Sequence, residues 1–376
     1  MKILFVIQHF RQGWGGGPES VRLMANRLAP DGVQSDVFDR GGLWRNVERL
    51  ALLPERGPAP SPFPYDSTDS YDAILIVDSW QNPFQLGQLL KRRAPGKPLL
   101  YLPRGSLGRI EFARPRDIKK FPYFALVERH FLKASDGIVF SSQAEREQTI
   151  GWARHHPAEH VVPDFFTSDN PAAGPFPADQ TLAEREPVIT CSFLAEVTPR
   201  KGLLPLVNGF VAWARRHTPA TKVRLLVGGR PRRGSESYYA QAQEVCRREG
   251  GAVEVEFLGP VPHGDRPLFY AETDLMIISS RFESFGLTVL EALSAGCAVL
   301  STPDIGALQF LPPHDRLFVT EGAKAADLEH GLERALLQVS ASDRVGRART
   351  QRYAADAVAA INRRAAQSWS ALLGLS

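Results

Sequence analysis

The segment Ser280–Gly296 gathers the residues of this 376-residue chain whose types and spacing suit chemistry. Glu283 and Glu291 stand eight positions apart, with Ser284-Phe285-Gly286-Leu287 between them, just after the apolar run Leu275–Ile278. The pattern predicts a loop that turns into a helix near Phe285–Gly286 and is closed by Gly296. Glu283 then lies in the loop and Glu291 inside the helix, roughly 12 Å apart if the span is fully helical. That separation suits the two ends of one nucleotide-sugar better than a pair of carboxylates acting on one bond. A loop running into free helix amides can hold a diphosphate while side chains reach sugar hydroxyls. The plain alternative is a surface helix carrying two solvated glutamates.

A second loop has similar potential. After the run Lys2–Ile7, Gly15-Gly16-Gly17-Pro18-Glu19-Ser20 leads into a helix. Consecutive glycines let the backbone approach a ligand closely, and a helix start offers N–H groups to anionic or hydroxyl oxygens. The loop is not the G-x-G-x-x-G of a dinucleotide site, because Pro18 removes a donor and no spaced third glycine follows. A nicotinamide-dependent oxidoreductase is correspondingly disfavoured. A tight strand-to-helix turn with no ligand also accounts for these residues.

Short apolar runs alternate with helix-length segments along most of the chain. The runs are Lys2–Ile7, Ser35–Phe38, Ala73–Val77, Leu99–Leu102, Gly137–Phe140 and His160–Val162, then Val188–Ser192, Val223–Val227, Val253–Phe257, Leu275–Ile278 and Ala298–Ser301. Amphipathic stretches such as Ser20–Leu28 and Tyr239–Arg248 lie between them. This alternation predicts parallel βαβ units, an α/β class with helices on both sheet faces. The series breaks at the proline-rich segment Asp169–Pro187, which reads as a linker. Two Rossmann-like domains are therefore expected, over 1–170 and 171–350, with a last helical stretch over 351–376 that packs back on the first. Open α/β sheets bind ligands at the carboxyl ends of their strands, so two such sheets facing each other predict a deep interdomain cleft.

Composition narrows the classes. At 43% hydrophobic and 23% charged the chain is globular, and its longest apolar runs are strand-length, too short to span a bilayer. Cys191, Cys246 and Cys297 are widely spaced with no CxxC, which fits a reducing cytoplasm. Neither Asp-x-Asp nor a His/Cys cluster occurs, so no metal or other cofactor is expected. The net charge of +4 is unevenly spread: Arg104–Lys133 holds eight basic residues against three acidic ones. That stretch reads either as a solvated surface or as a face for anionic lipid or an anionic acceptor. No nucleic-acid motif accompanies it. Trp14, Trp44 and Trp80 are candidates for stacking on sugar rings or for ordinary packing.

Glu283 and Glu291, with Phe285-Gly286-Leu287 between them, resemble the Glu-x7-Glu motif of family 4 glycosyltransferases, retaining enzymes of the GT-B fold. The likeness covers nearly the whole chain. The loop containing Gly16 and Gly17, Pro103-Arg104-Gly105, Pro199-Arg200-Lys201-Gly202, Gly228-Gly229, and Phe257-Leu258-Gly259 with Val261 follow in the family's order. The resemblance implies that Glu283 contacts the donor sugar, with Ser284 and the amides of Phe285, Gly286 and Leu287 on its hydroxyls and phosphates. It implies that Glu291 binds the ribose, Lys201 the diphosphate, and the backbone of Gly259–Val261 the base, with Gly228 and the Gly16–Gly17 turn also on the donor. Retention and a nucleotide-sugar donor are implied in the same way, while the basic stretch Arg104–Lys133 points to a lipid-linked or anionic glycan acceptor, beside a small-molecule one, and to a peripheral place on the cytoplasmic face of a membrane.

Two positions depart from the family pattern. Ala195-Glu196 replaces the usual Gly-Arg, whose arginine shares the diphosphate with the lysine. A carboxylate there would repel a diphosphate by about 4 kcal/mol per unit charge at about 4 Å and an effective dielectric of about 20. Glu196 is therefore expected to turn away or to pair with Arg200 or Arg281, one of which supplies the missing charge. A non-catalytic binding or scaffold subunit is the reading this substitution would favour. The second departure is Arg104, where the family commonly has histidine. A guanidinium is a poor proton acceptor, so Arg104 is assigned to orienting acceptor or donor oxygens.

Overall fold

The computed structural model describes residues 1–11, 16–54, 56, 58, 69–78, 96–112, 120–151, 156–167, 188–217, 221–249, 254–341 and 343–375. The linker expected over 169–187, together with Gly15, Trp14, Trp80, Arg114, Arg116 and Lys119, lies outside them. The chain forms two compact units, Met1–Phe166 with Ala360–Ser376, and Thr167–Ala359.

The first unit is built on a seven-stranded sheet of order β3-β2-β1-β4-β5-β6-β7. Its strands are β1 Lys2–Val6, β2 Gln34–Phe38, β3 Leu43–Trp44, β4 Ala73–Val77, β5 Leu99–Leu102, β6 Gly137–Phe140 and β7 Glu159–Val161. Their apolar runs are continuous because both faces are covered. Ile3 and Phe5 enter one core with Ala73 and Leu75. Leu4 and Val6 enter the opposite core with Ile74 and Ile76. All pairings are parallel except β2 with β3, an antiparallel edge of two residues, too short to show as a period in the sequence. The helix α1, Gly16–Leu28, starts four residues before the apolar period does, with Pro18 tolerated in its first turn.

The second unit holds a six-stranded parallel sheet of order β10-β9-β8-β11-β12-β13. Its strands are β8 Val188–Leu194, β9 Lys222–Gly228, β10 Glu254–Gly259, β11 Leu275–Ile278, β12 Ala298–Ser301 and β13 Leu317–Val319. The chain starts at the centre with β8, builds outward through β9 and β10, then returns to β11 and builds the other way. The reversal makes a topological switch point at the carboxyl ends of β8 and β11, where open α/β sheets take their ligands. In the first unit the same reversal falls between β1 and β4.

The last helix runs unbroken over Arg344–Leu373 and so begins before the stretch expected over 351–376. From Ala360 onward it belongs to the first unit. There Asn362 accepts from the Phe166 amide at 3.0 Å and donates to the Phe166 carbonyl at 2.6 Å. Trp369 packs with Ile3, Phe5 and Leu28 at 1% exposure. A buried tryptophan truncated to alanine costs about 3–5 kcal/mol. Trp369→Ala should therefore lower the unfolding free energy by about that amount, read from urea titration; a change within the noise would mean the C-terminal segment adds nothing to the first unit.

Candidate functional site

A cluster of charged side chains lies at the carboxyl ends of β8 and β11, the second unit's switch point. Chain leaving β8 makes a short 3-10 turn, Pro199–Lys201, ended by Gly202 at φ 73°. A Cβ on Gly202 would stand 1.9 Å from the Ser279 carbonyl oxygen, so only glycine lets this turn close on the loop after β11. The two loops are then tied together. Ser279 Oγ donates to the Lys201 carbonyl at 3.0 Å, and the Arg281 amide donates to the Arg200 carbonyl at 2.8 Å.

This contact brings Arg200 and Lys201 onto one carboxylate. Arg200 Nη1 donates to Glu283 Oε2 at 2.9 Å and to the Phe282 carbonyl at 2.7 Å. Lys201 Nζ donates to Glu283 Oε1, which also accepts from Ser280 Oγ at 2.6 Å. Burial alone would raise the Glu283 carboxyl, but Arg200 and Lys201 outweigh it and hold it at about 2. Burial also lowers the Lys201 ammonium, and Glu283 offsets part of that shift.

The loop that carries Glu283 is fixed by backbone bonds on its far side. The Glu283 amide donates to the Asp304 carbonyl at 3.0 Å, and the amides of Gly306 and Ala307 donate to Glu283 and Phe285 at 3.1 and 2.7 Å. Phe285 is buried against Phe310. Gly286, at φ 95°, caps the helix Leu287–Ser294, and a Cβ there would meet Ile305 Cγ2 at 2.6 Å. In its first turn the Val289 amide donates to the Gly286 carbonyl at 3.0 Å, while the Leu287 and Thr288 amides precede any acceptor within the helix. Ser284, Gly286 and Leu287 are half-buried beside them.

Glu291 points elsewhere, along the same helix. It accepts from Tyr270 Oη at 2.7 Å, and Arg266 Nη1 stands 3.8 Å from its other oxygen. Arg266 and Tyr270 lie one turn apart on the helix Arg266–Glu272. Burial, then the Glu291 charge, pushes the Tyr270 hydroxyl well up, so it remains a donor. Gly228 and Val261 sit together: a Cβ on Gly228 would be 2.9 Å from Val261 Cγ2, and the Gly229 amide donates to the Gly259 carbonyl at 2.6 Å.

Of the expected arrangements for Glu196, pairing with Arg200 or Arg281 is not the one found; it pairs with Arg232 instead. Its carboxylate is 3.0 Å from Arg232 Nε, at 43% exposure. The Val197 amide donates to the Arg230 carbonyl and the Arg232 amide to the Val197 carbonyl, and this clamp between the loops after β8 and β9 fixes Glu196 beside Arg232. The second cation on the Glu283 cluster is Arg200.

In the first unit, Arg104 ends β5 in the left-handed region at φ 51°. Its guanidinium is 5% exposed and bonds Asp164 at 2.8 Å. Ser20 Oγ, from α1, donates to the same Asp164 oxygen at 2.8 Å. Glu145 receives Ser141 Oγ at 2.8 Å and the Gly105 amide; burial raises its carboxyl, and Arg104 opposes the shift. Gly17 faces Asp78, whose Oδ2 would be 3.4 Å from an added Cβ, while Gly16 faces open space. Asp164, Arg266 and Tyr270 escaped the sequence reading, because each belongs to its cluster through a contact distant in sequence. Among the described residues no group of three His, Cys, Asp or Glu is placed to hold a metal ion.

Residues 178–352 match the family Glycosyl transferases group 1. The chain is 26% identical to the D-inositol 3-phosphate glycosyltransferase of Gordonia bronchialis, over 89% of this chain and 79% of that one. It is 25% identical to the lipopolysaccharide core biosynthesis glycosyltransferase LpsE of Rhizobium meliloti, over 90% and 89%. Among solved structures, the sucrose-phosphate synthase of Thermosynechococcus elongatus superposes with a TM-score of 0.72 at 18% identity, covering 100% of both chains. HepE of Anabaena, in complex with UDP and glucose, superposes at 0.67 and 18% identity, covering 99% of this chain and 100% of that one.

The Glu283 cluster has an acid signature. A carboxyl at about 2 when folded and 4.5 when unfolded adds stability above pH 4.5, and that contribution fades as pH falls towards 2. The stability gap between the native protein and Glu283→Gln, measured by denaturant titration, should therefore narrow on acidification through this range. A gap independent of pH would mean the three charges do not interact.

Proposed function

We propose that this glycosyltransferase of the GT-B fold is a family 4-type enzyme that moves a sugar from a UDP- or GDP-sugar to an acceptor hydroxyl with retention of configuration. The observation that carries the reading is the convergence of Arg200, Lys201 and Glu283 beside the free amides of the Gly286–Leu287 helix start, at a sheet switch point.

In this reading Lys201, Arg200 and the helix amides bind the diphosphate, with Ser284, Phe285, Gly286 and Leu287 forming the cradle. Glu283 reaches hydroxyls of the donor sugar. Glu291, oriented by Tyr270, binds the ribose diol through its remaining lone pairs, and the Gly228–Val261 contact shapes the seat of the base. As the anomeric C–O bond to the leaving phosphate breaks, negative charge grows on the bridging oxygen and is stabilised by Lys201 and Arg200. The acceptor oxygen attacks from the same face, and its proton passes to the departing phosphate. Arg104 is assigned a positioning role towards acceptor or donor oxygens, with its bond to Asp164 holding the Pro103–Gly105 turn. Gly16 and Gly17 are assigned to the donor as well, as glycines that permit close backbone approach. No metal or other cofactor enters this scheme.

The acceptor is a glycan, a lipid-linked saccharide or a small molecule. Relatives named for a phosphorylated inositol and for lipopolysaccharide core support an anionic or lipid-linked one. So does the first unit's outer surface, where Leu126 is 73% exposed and Arg129 and Lys133 are exposed nearby. No helix among the described residues is long and apolar enough to cross a membrane, and the enzyme is assigned to the cytoplasmic face as a peripheral protein.

Assay against a panel of nucleotide-sugars, with calorimetry alongside, tests the function: one donor should be turned over. Binding without transfer or hydrolysis for every donor would favour the non-catalytic reading. Lys201→Ala should lower kcat/KM by about 100-fold or more, as loss of one pre-organised charge on the leaving group does. Because the Lys201 ammonium is lowered, kcat/KM should fall on the alkaline side below the ordinary lysine range as the proton is lost, and Lys201→Arg should abolish that limb. For the membrane assignment, the double variant Arg129→Glu/Lys133→Glu should lose co-sedimentation with anionic vesicles while binding donor unchanged.

A further inference from the structure

The two cations that the donor-site reading gives to the diphosphate are already engaged. Arg200 and Lys201 both bond Glu283, one on each carboxylate oxygen, and Ser280 adds a third donor. A carboxylate has about four lone-pair positions, so three protein donors leave about one for a ligand. Glu283 in this arrangement cannot also receive a pair of sugar hydroxyls. A pyrophosphate seated on Arg200 and Lys201 would meet the Glu283 carboxylate as a like charge at close range. The cations therefore serve one anion or the other.

We propose that the Glu283 carboxylate is an internal competitor of the donor's diphosphate: it yields Arg200 and Lys201 to the arriving pyrophosphate, turns to the donor sugar, and reclaims the cations as the nucleoside diphosphate leaves. The inference rests on the donor-site reading above and assigns Glu283 a second task, in product release. The geometry favours a side-chain exchange over a loop movement. The Glu283 backbone is held on both sides, its amide by Asp304 and its carbonyl by Gly306, and Gly202 and Gly286 lock the two turns at close approach. Only the side-chain torsions of Glu283 remain to swing the carboxylate between partners. Charge is balanced at both stages, by the glutamate before the donor arrives and by the phosphates after it. The nucleoside diphosphate is consequently bound less tightly than two cations and a helix start would bind it unopposed, which suits a product that must depart.

A different role for Glu283 predicts the opposite behaviour. If the carboxylate were a fixed brace that holds Arg200 and Lys201 in position to receive phosphate, its removal would scatter the cations and weaken nucleotide binding. Internal competition instead predicts tighter binding together with poorer transfer.

The test measures free UDP, GDP and ADP by calorimetry on the full chain and on Glu283→Gln, with transfer assayed on the same samples. For the nucleotide the native protein binds, Glu283→Gln should bind about tenfold more tightly, the effect of removing one competing charge. Its turnover should fall by about 100-fold or more, because the sugar contact is lost. Equal or weaker binding by Glu283→Gln would overturn the inference while leaving the donor-site reading intact. Failure of both proteins to bind any of the three nucleotides would overturn both. Should Glu283→Gln not fold, Ser280→Ala loosens the carboxylate without removing it and should tighten nucleotide binding by about two- to threefold; unchanged or weaker binding would overturn the inference equally.

Discussion

A carboxylate held between a guanidinium and an ammonium at the end of a parallel sheet is the constraint around which the second unit is arranged. Burial disfavours charge at Glu283, which is 13% exposed, and at Lys201, and their pairing offsets that cost at both groups. The surrounding backbone exists to bring them within bonding distance. Gly202 lets the β8 turn lie against Ser279, and Gly286 lets the β11 loop lie against Ile305, at separations no Cβ would tolerate. The buried strands beneath supply the rigidity that keeps such close approaches in place.

Much of this was legible in the sequence, for identifiable reasons. Strands buried on both faces announce themselves as unbroken apolar runs, and Ala73–Val77, Leu99–Leu102, Gly137–Phe140, Leu275–Ile278 and Ala298–Ser301 form strands with the bounds those runs have. The Glu283–Glu291 segment divides into loop and helix as its glycine implies, with Gly286 as the cap. The short edges Leu43–Trp44 and Leu317–Val319 were not legible, since two or three residues carry no period.

Partners distant in sequence were the other gap. That Glu196 bonds Arg232 follows from a clamp between the loops after β8 and β9, and that Tyr270 orients Glu291 follows from how two helices meet. No local spacing encodes either. Arg104 shows the limit most clearly. Its residue type and its place after a strand suggest an exposed ligand contact, yet Asp164, from far along the chain and itself held by Ser20, draws its guanidinium inward. A buried ion pair of that kind fixes backbone conformation more than it adds stability, which agrees with the left-handed turn it holds at Arg104.

The central claim is that the Arg200–Lys201–Glu283 cluster and the helix start beside it form the seat of a pyrophosphate. A crystal structure of the protein with its preferred nucleoside diphosphate tests this most directly. The account predicts phosphate oxygens within about 3 Å of Lys201 Nζ, the Arg200 guanidinium and the Gly286–Leu287 amides. A pyrophosphate held away from these groups would contradict it.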